Sequence, residues 1–277
     1  MASKTALAVS DALYLKPLLQ GLSAATSPFS LSFDIPGRNA LKLAERAENI
    51  KAAFLSPLDY ARHGGEFRII PEIAVSSSTK TDTIQLFVDS DARNITTLAV
   101  DIRVTSEILL AKIILSENFR NLSAKEDKLQ ILPMLPDVQL MLEKADAALI
   151  VNLDAPARSE EKFVLDLVEE WNDLTDLPYV HGFWVAREGD LLPGEMEQLL
   201  DAKKKGLELQ TKIAQEVALE KNVSAGTYIS YLSSFSYDLG NSEQESISEF
   251  FRFSYFYGAL GDIPDLNFFE STSFEGN

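Results

Sequence analysis

Short β-branched or apolar runs alternate with helical patterns through the first two thirds of the chain, and that alternation restricts it to an α/β fold with parallel strands. "TALAVS" (5–10), "FSLSFDIP" (29–36) and "KAAFLS" (51–56) read as strands. Between them "YLKPLLQGL" enters a helix near Pro17, a residue favoured in a first turn. "GRNALKLAERAENI" repeats Leu41, Leu43, Ala44 and Ala47 at helical spacing, and "PLDYARHG" is a short helix stopped by Gly64 and Gly65. The order is β-α-β-α-β.

Residues 68–90 read as two strands that carry the chain to a new place, where the alternation restarts with a strand at 94–101 and the helix "TSEILLAKIILSENF". "KLQILPM" (128–134), "PDVQLMLEKA" and "DAALIVN" (146–152) supply strand, helix and strand, and a helix around "VLDLVEEWNDLT" leads into a last strand at 177–188. The remaining third is mainly helical, with one long charged helix at about 193–221 and an aromatic one at 247–260. Two α/β units joined by extended crossovers imply two lobes, and ligands of open α/β sheets bind beyond the carboxyl ends of the strands.

Composition removes several functions. With 277 residues, 46% of them hydrophobic, the chain can bury one large core or two modest ones, and it has no cysteine for a disulfide, a thiolate nucleophile or a sulfur-rich zinc site. His63 and His181, the two histidines, cannot supply an all-histidine metal site. The 25 basic and 42 acidic residues give a formal charge of −17, which repels phosphate backbones and anionic membranes, so no nucleic-acid or membrane partner is expected. Asp11 and Lys16 interrupt the apolar start and no run reaches the length of a membrane span, so the expected setting is the cytoplasm. The densest basic run, Lys203 to Lys205, reads as the solvated face of a helix. There is no G-x-S-x-G elbow, no Gly-rich phosphate loop and no H-E-x-x-H helix.

One stretch, "DIRVTSEILLAKIIL" (101–115), passes from a strand ending in a carboxylate through Arg103, Thr105 and Ser106 into an apolar helix. Two hydroxyls and unpaired N–H groups at a helix start suit a carboxylate; alternatively, Thr105 or Ser106 caps its own helix. Arg38 and Arg103 have the fork geometry for substrate carboxylates or face solvent. His181, among Tyr179, Phe183 and Trp184, reads as a packed residue, and His63 as a loop residue.

That stretch, together with "ADAALIVNLDAPA" (145–157) and "DLVEEWNDLTDLPYVHGFWVAREG" (166–189), resembles the chorismate dehydratases of the futalosine route to menaquinone. "ALYLKPLLQGL" (12–22) is similar to that family's tyrosine-leucine-asparagine turn, and "AAFLSPLDYARHGGEFRIIPEIAV" (52–75) to its strand-serine-helix segment. The resemblance implies a two-lobed, periplasmic-binding-protein-like (type II) clamshell. Residues 1–85 with 189–277 would form lobe 1, and 86–188 lobe 2. It implies a hydro-lyase that removes water from chorismate to give 3-[(1-carboxyvinyl)oxy]benzoate, without metal or organic cofactor, the enolpyruvyl carboxylate taking the ring proton. An anionic small molecule is then the expected partner; the oligomeric state is not implied.

Carried over residue by residue, the family's asparagine falls on Lys16, which anchors a carboxylate as a point charge but cannot accept a hydrogen bond. Its crossover serine falls on Thr83, with Thr81 one strand repeat away. Thr83 and Lys16 are therefore the expected catalytic residues. Ser56 matches a cleft serine, and Ser56, Arg103, Thr105, Ser106, Asn152 and Asp154 are the expected substrate contacts. Asn152 or Asp154 stands for the family's glycine-aspartate pair, depending on a one-residue shift. The family's threonine-glycine has become Thr175-Asp176, which adds a negative charge near the expected anion. A binding protein of different specificity on the same fold is the competing expectation, and the naphthoate-forming enzyme of the same pathway a third. The aromatic-rich tail from Phe250 is expected to pack on the first lobe of its own chain.

Overall fold

The computed structural model describes residues 4–22, 27–63, 65–89, 92, 94–119, 129–154 and 164–270. In chain order the strands are β1 (Thr5–Val9), β2 (Phe29–Phe33), β3 (Ile50–Leu55), β4 (Arg68–Ser77), β5 (Ile84–Val88), β6 (Thr97–Asp101), β7 (Gln130–Met134), β8 (Ala147–Val151), β9 (Val164–Asp166) and β10 (Tyr179–Ala186). The helices are α1 (Lys16–Gln20), α2 (Pro36–Ala44), α3 (Pro57–Arg62), α4 (Ser106–Glu117), α5 (Val138–Leu142), α6 (Leu167–Thr175), α7 (Pro193–Glu208), α8 (Gln210–Lys221), α9 (Ala225–Ser233) and α10 (Asn241–Phe256).

Two five-stranded sheets result, ordered β2-β1-β3-β10-β4 and β7-β6-β8-β5-β9. β1 is parallel to β2 and β3, and β6 to β7 and β8, as the alternation requires. β10 runs antiparallel between β3 and β4, and β5 antiparallel between β8 and β9. The pairing thus divides the chain differently from 1–85 plus 189–277 against 86–188: β10 belongs to the first sheet, and Ile84 and Gln85 open β5 of the second. The reason is physical. The backbone N–H and C=O groups of β10 pair with Ala52–Leu55 on one side and with Arg68–Ser77 on the other, and every residue of "YVHGFWVA" except His181 is buried there.

Local chemistry starts the helices where the site needs them. Ser56 caps α3, its hydroxyl accepting from the Asp59 N–H at 3.2 Å, and Pro57 follows in the first turn. Asp166 caps α6. α4 buries Leu109, Leu110, Ala111, Ile113, Ile114 and Leu115, so it is an interior helix, each fully buried Leu or Ile contributing about 1.5–3 kcal/mol. The helix expected at 193–221 is two helices meeting at Leu209, whose N–H bonds the Gly206 carbonyl. Lys203 corrects the solvated-face reading of its run. It is buried, with Nζ donating to the Glu72 carbonyl at 2.6 Å and to Asp238 at 2.5 Å, while Lys204 and Lys205 are exposed. Gly206 is where α7 crosses α1, since a Cβ there would lie 1.6 Å from the Pro17 carbonyl oxygen.

One apolar cluster runs through both sheets, joining Ala8, Leu55 and Tyr60 to Leu98, Leu110 and Leu149 by way of Ile247, Phe250 and Phe251 of α10. Trp171 of α6 meets Phe250 and Phe253 edge-on and donates its indole N–H to Ser246 at 3.1 Å. The tail packs on the first lobe, as expected: Phe268 bridges Ile69 of β4, and the Tyr60 hydroxyl donates to the Asp265 carbonyl. Gly64, Ala155 to Ala157 and residues 271–277, all used in the sequence reading, lie outside the described residues.

Candidate active site between the lobes

The start of α3 in the first lobe meets the start of α4 in the second. The Ser106 hydroxyl donates to Ser56 Oγ at 2.7 Å, Ser56 donates to Asp59 Oδ2 at 2.8 Å, and the Thr105 hydroxyl donates to Asp59 Oδ1 at 3.3 Å. Three residues expected at the site are thus brought together across the cleft, and both oxygens of Asp59 accept from them. Thr105 occupies the N-cap position of α4 but makes no side-chain cap bond, so its hydroxyl serves the other lobe instead. Beside it, the Glu107 carboxylate turns back on the N–H groups of Thr105 and of Glu107 itself. Burial, reinforced by the nearby Asp59, pushes its carboxyl up to about 7. The donors expected to hold a substrate carboxylate therefore already face carboxylates of the chain.

Next to this network is an aromatic enclosure. His181 of β10 lies 5.1 Å from the rings of Tyr14 and Tyr179 and 5.4 Å from Phe235, and Tyr14 stacks on Phe235 at 5.3 Å. Phe235 also meets Tyr231 of α9, whose hydroxyl is 3.4 Å from Thr83 Oγ1. Thr83 is buried immediately before β5, and its carbonyl accepts the Asn152 N–H at 2.8 Å. Burial holds Tyr14, Tyr179 and Tyr231 well above the usual phenol range and lowers His181 to about 3, so the phenols keep their protons and the imidazole is neutral at pH 7. His181 is packed, as expected, but its enclosed Nε2 has no hydrogen-bond partner among the described residues.

A hydrogen bond from the Leu13 N–H to the Leu153 carbonyl, 2.7 Å, joins the lobes. An outer cleft of about 710 Å³ lies between the strand ends, lined by Asp11, Phe33, Phe87, Arg103, Asn152 and Asp154 among others. Arg103 does not offer a free fork there: Nε and Nη2 pair with the wholly buried Asp101 at 2.9 and 2.6 Å, and Nη2 also donates to the Val151 carbonyl. Asp154 is exposed, 3.6 Å from Lys221, and its N–H donates to the Asn152 side-chain oxygen at 3.3 Å. Lys16 begins α1, half-buried, with no ion pair among the described residues. Arg38, 69% exposed, lies 3.8 Å from Asp34.

Asp176, where the resemblance places an added charge, sits at a helix end. It is the exposed, left-handed residue that ends α6, with φ 59°, a conformation that glycine adopts without strain. The sequence reading missed Asp59 and Glu107, which look like ordinary first-turn acids, and missed Tyr231 of α9 and Phe235 just beyond its end, a segment that carried no recognised signal. Among the described residues, no group of three or more acidic or histidine side chains is arranged for a metal ion, and no helix is long and apolar enough to cross a membrane.

A family model described as menaquinone biosynthesis matches residues 7–255. A protein named chorismate dehydratase from Thermus thermophilus is 24% identical over 209 residues, covering 72% of this chain and 77% of the relative. Among solved structures, protein AF1704 from Archaeoglobus fulgidus superposes with a TM-score of 0.70 at 15% identity, over 94% of this chain and 99% of its own. The periplasmic aliphatic sulphonate binding protein SsuA from Escherichia coli does so with a TM-score of 0.62 at 14% identity, over 100% and 95%. The fold is that of periplasmic binding proteins.

Proposed function

The chain belongs to the menaquinone biosynthesis family, and from that premise we propose that it binds chorismate between its lobes and removes water from it to give 3-[(1-carboxyvinyl)oxy]benzoate in the cytoplasm. The observation that carries this reading is the convergence of Ser56, Thr105 and Ser106 from two lobes on one network, with Thr83 on the adjoining aromatic wall. In it, Lys16 anchors a carboxylate as a point charge and Thr83 donates or relays a proton. Ser56, Thr105 and Ser106 fix the wall against which the ring lies, and the Asn152–Asp154 turn, with Arg103 behind it, closes the outer side. Orientation is the main contribution such a site makes, since aromatisation drives the elimination.

One feature favours a second reading, a binder of another small carboxylate. Arg103 is committed to Asp101, so the second carboxylate of a dianion finds no free guanidinium fork there, whereas a ligand with a single carboxylate needs only Lys16. Incubation of the purified protein with chorismate, followed by chromatography with mass detection, separates the two. Carboxyvinyloxybenzoate formed in proportion to enzyme supports the dehydratase. Folded protein that leaves chorismate unchanged sinks it. A rise in dehydration on Lys16→Asn marks weakened ancestral chemistry, whereas unchanged inactivity in that variant favours the binder.

A further inference from the structure

Arg62 at the end of α3 and Lys112 in the middle of α4 line one groove of about 330 Å³, together with the chain just beyond α10 from Tyr257 to Ala259. Its apolar lining is Leu58 from the first lobe and Ile108 and Leu109 from the second. It shares no lining residue with the outer cleft between the strand ends. In a chain with 42 acidic and 25 basic residues, two cations that face one groove without acids stand out.

Neither cation is spent inside the chain. Neither makes an ion pair or a hydrogen bond among the described residues. Lys112 is half-buried, and the residues three and four positions away on its helix are Ile108, Leu109, Leu115 and Ser116, so α4 offers it no acid to pair with. The next acid along α4, Glu117, already accepts the Tyr257 hydroxyl at 2.7 Å. Arg62 is exposed, and its charge acts on Asp59 of the same helix, but the Asp59 oxygens are occupied by the hydroxyls of Ser56 and Thr105. Beside Leu58, Ile108 and Leu109 the two charges are screened by water on one side only, which strengthens their pull on an anion.

We propose that this groove is a second ligand site, taking a small dianion, either a phosphate group or a dicarboxylate, that bridges the lobes through Arg62 of the first and Lys112 of the second. The guanidinium presents a fork of N–H donors to two oxygens, and the ammonium neutralises the remaining charge as a point cation. Ligand pockets span about 300–1,000 Å³, so a groove of this size holds a compact anion, and a longer polyanion would run out onto an acidic surface. Thr105 lines the groove as well, so the anion ties together the same two helix segments that the Thr105–Asp59 bond joins. The proposal holds whichever small molecule the candidate active site takes.

The test is calorimetric titration of the full chain with inorganic phosphate and with malonate at constant ionic strength. Arg62→Gln and Lys112→Met, which keep the side-chain stems and remove the charges, are compared with wild type after circular dichroism has shown them folded. Wild type should bind at least one of the two ions, and each variant should weaken that binding about tenfold or more, as the loss of a charge-assisted contact does. Arg62→Lys should fall between, keeping the charge without the fork. Lys16→Ala, at the candidate active site, and Lys204→Ala, on the open surface, should bind as wild type does. The ion bound more tightly names the class of the ligand. Absence of saturable binding of either ion below about 10 mM overturns the proposal. So does binding that survives both charge-removing variants, or that is lost in Lys16→Ala, which would seat the ion at the candidate active site. A loss confined to Arg62→Gln or to Lys112→Met overturns the bridge between the lobes.

Discussion

Asp166 concentrates more backbone hydrogen bonds on one side chain than any other carboxylate described above, and replacing it by asparagine should weaken the whole molecule. Its Oδ1 accepts from the Val168 and Glu169 N–H groups at 2.9 and 3.2 Å, and its Oδ2 from those of Thr81 and Asp82 at 3.0 and 2.6 Å. The first pair caps α6; the second fixes the crossover that carries the chain from β4 to β5, where Asp82 has a φ of 55°. An asparagine carbonyl can keep one pair. Its amide then faces the other two donors and accepts from neither. Hydrogen bonds to a charged group contribute about 1.5–3 kcal/mol each, and partial relaxation reduces the sum, so a loss of about 3 kcal/mol is expected. With a urea slope of about 2–3 kcal/mol per molar, the unfolding midpoint should fall by roughly 1–1.5 M at constant slope. Trp171 and Trp184, both buried and one on each lobe, report the transition by fluorescence. A midpoint within about 0.2 M of wild type, less than about 0.6 kcal/mol at that slope, would refute the assignment of the junction to this carboxylate.

Asp176→Gly should stabilise by about 0.5–1 kcal/mol, seen as a raised Tm, because the left-handed end of α6 no longer carries a Cβ; a lower Tm would count against the strain. Lys203→Ala should cost about 1–3 kcal/mol in the same urea assay, by leaving the Glu72 carbonyl and Asp238 without their donor, while Lys204→Ala and Lys205→Ala stay within about 0.5 kcal/mol. Glu107 and His181 should give opposite pH limbs of stability. The folded pKa of Glu107 is raised from 4.5 to about 7, so its stability contribution is full below 4.5 and lost as pH rises to 7. That of His181 is lowered from 6.5 to about 3, so its contribution is full above 6.5 and lost as pH falls to 3. His181→Phe should flatten the acid limb alone, and an unchanged slope of midpoint against pH between 6.5 and 3 would contradict the burial of the imidazole.

Periodicity made most of the first lobe and α4 readable, because strands covered by helices are continuous apolar runs and "TSEILLAKIIL" is apolar on every side. It did not reveal that β10 crosses back into the first sheet. "YVHGFWVA" is as apolar as a strand of either sheet, and only its antiparallel register with Leu55 and Ser77 distinguishes them. The break at Leu209 was hidden because Gly206, three residues before it, is tolerated inside α7 and a helical pattern continues on both sides. At the site, Ser56, Thr105 and Ser106 were legible from their places after strands. Their partner was not, because Asp59 three residues after a serine cap is a common helix-start pattern, and only the other lobe makes it the acceptor of Thr105. The charge of Arg103 was legible, but its consumption by Asp101 depends on a side-chain rotamer that no spacing encodes.

The α10 helix changes what the word clamshell means for this molecule. It covers α3 and β10 of the first lobe, while Phe250 and Phe253 clasp Trp171 of the second and Tyr257, just beyond its end, donates to Glu117 of α4. A carrier that captures cargo by swinging two bodies needs a seam that can fill with water. Here the seam is oil on one side, and a wide swing would wet Trp171 and the phenylalanines around it, a cost that grows with every square ångström of apolar surface exposed. The geometry suits local breathing near the Leu13–Leu153 contact more than a bite.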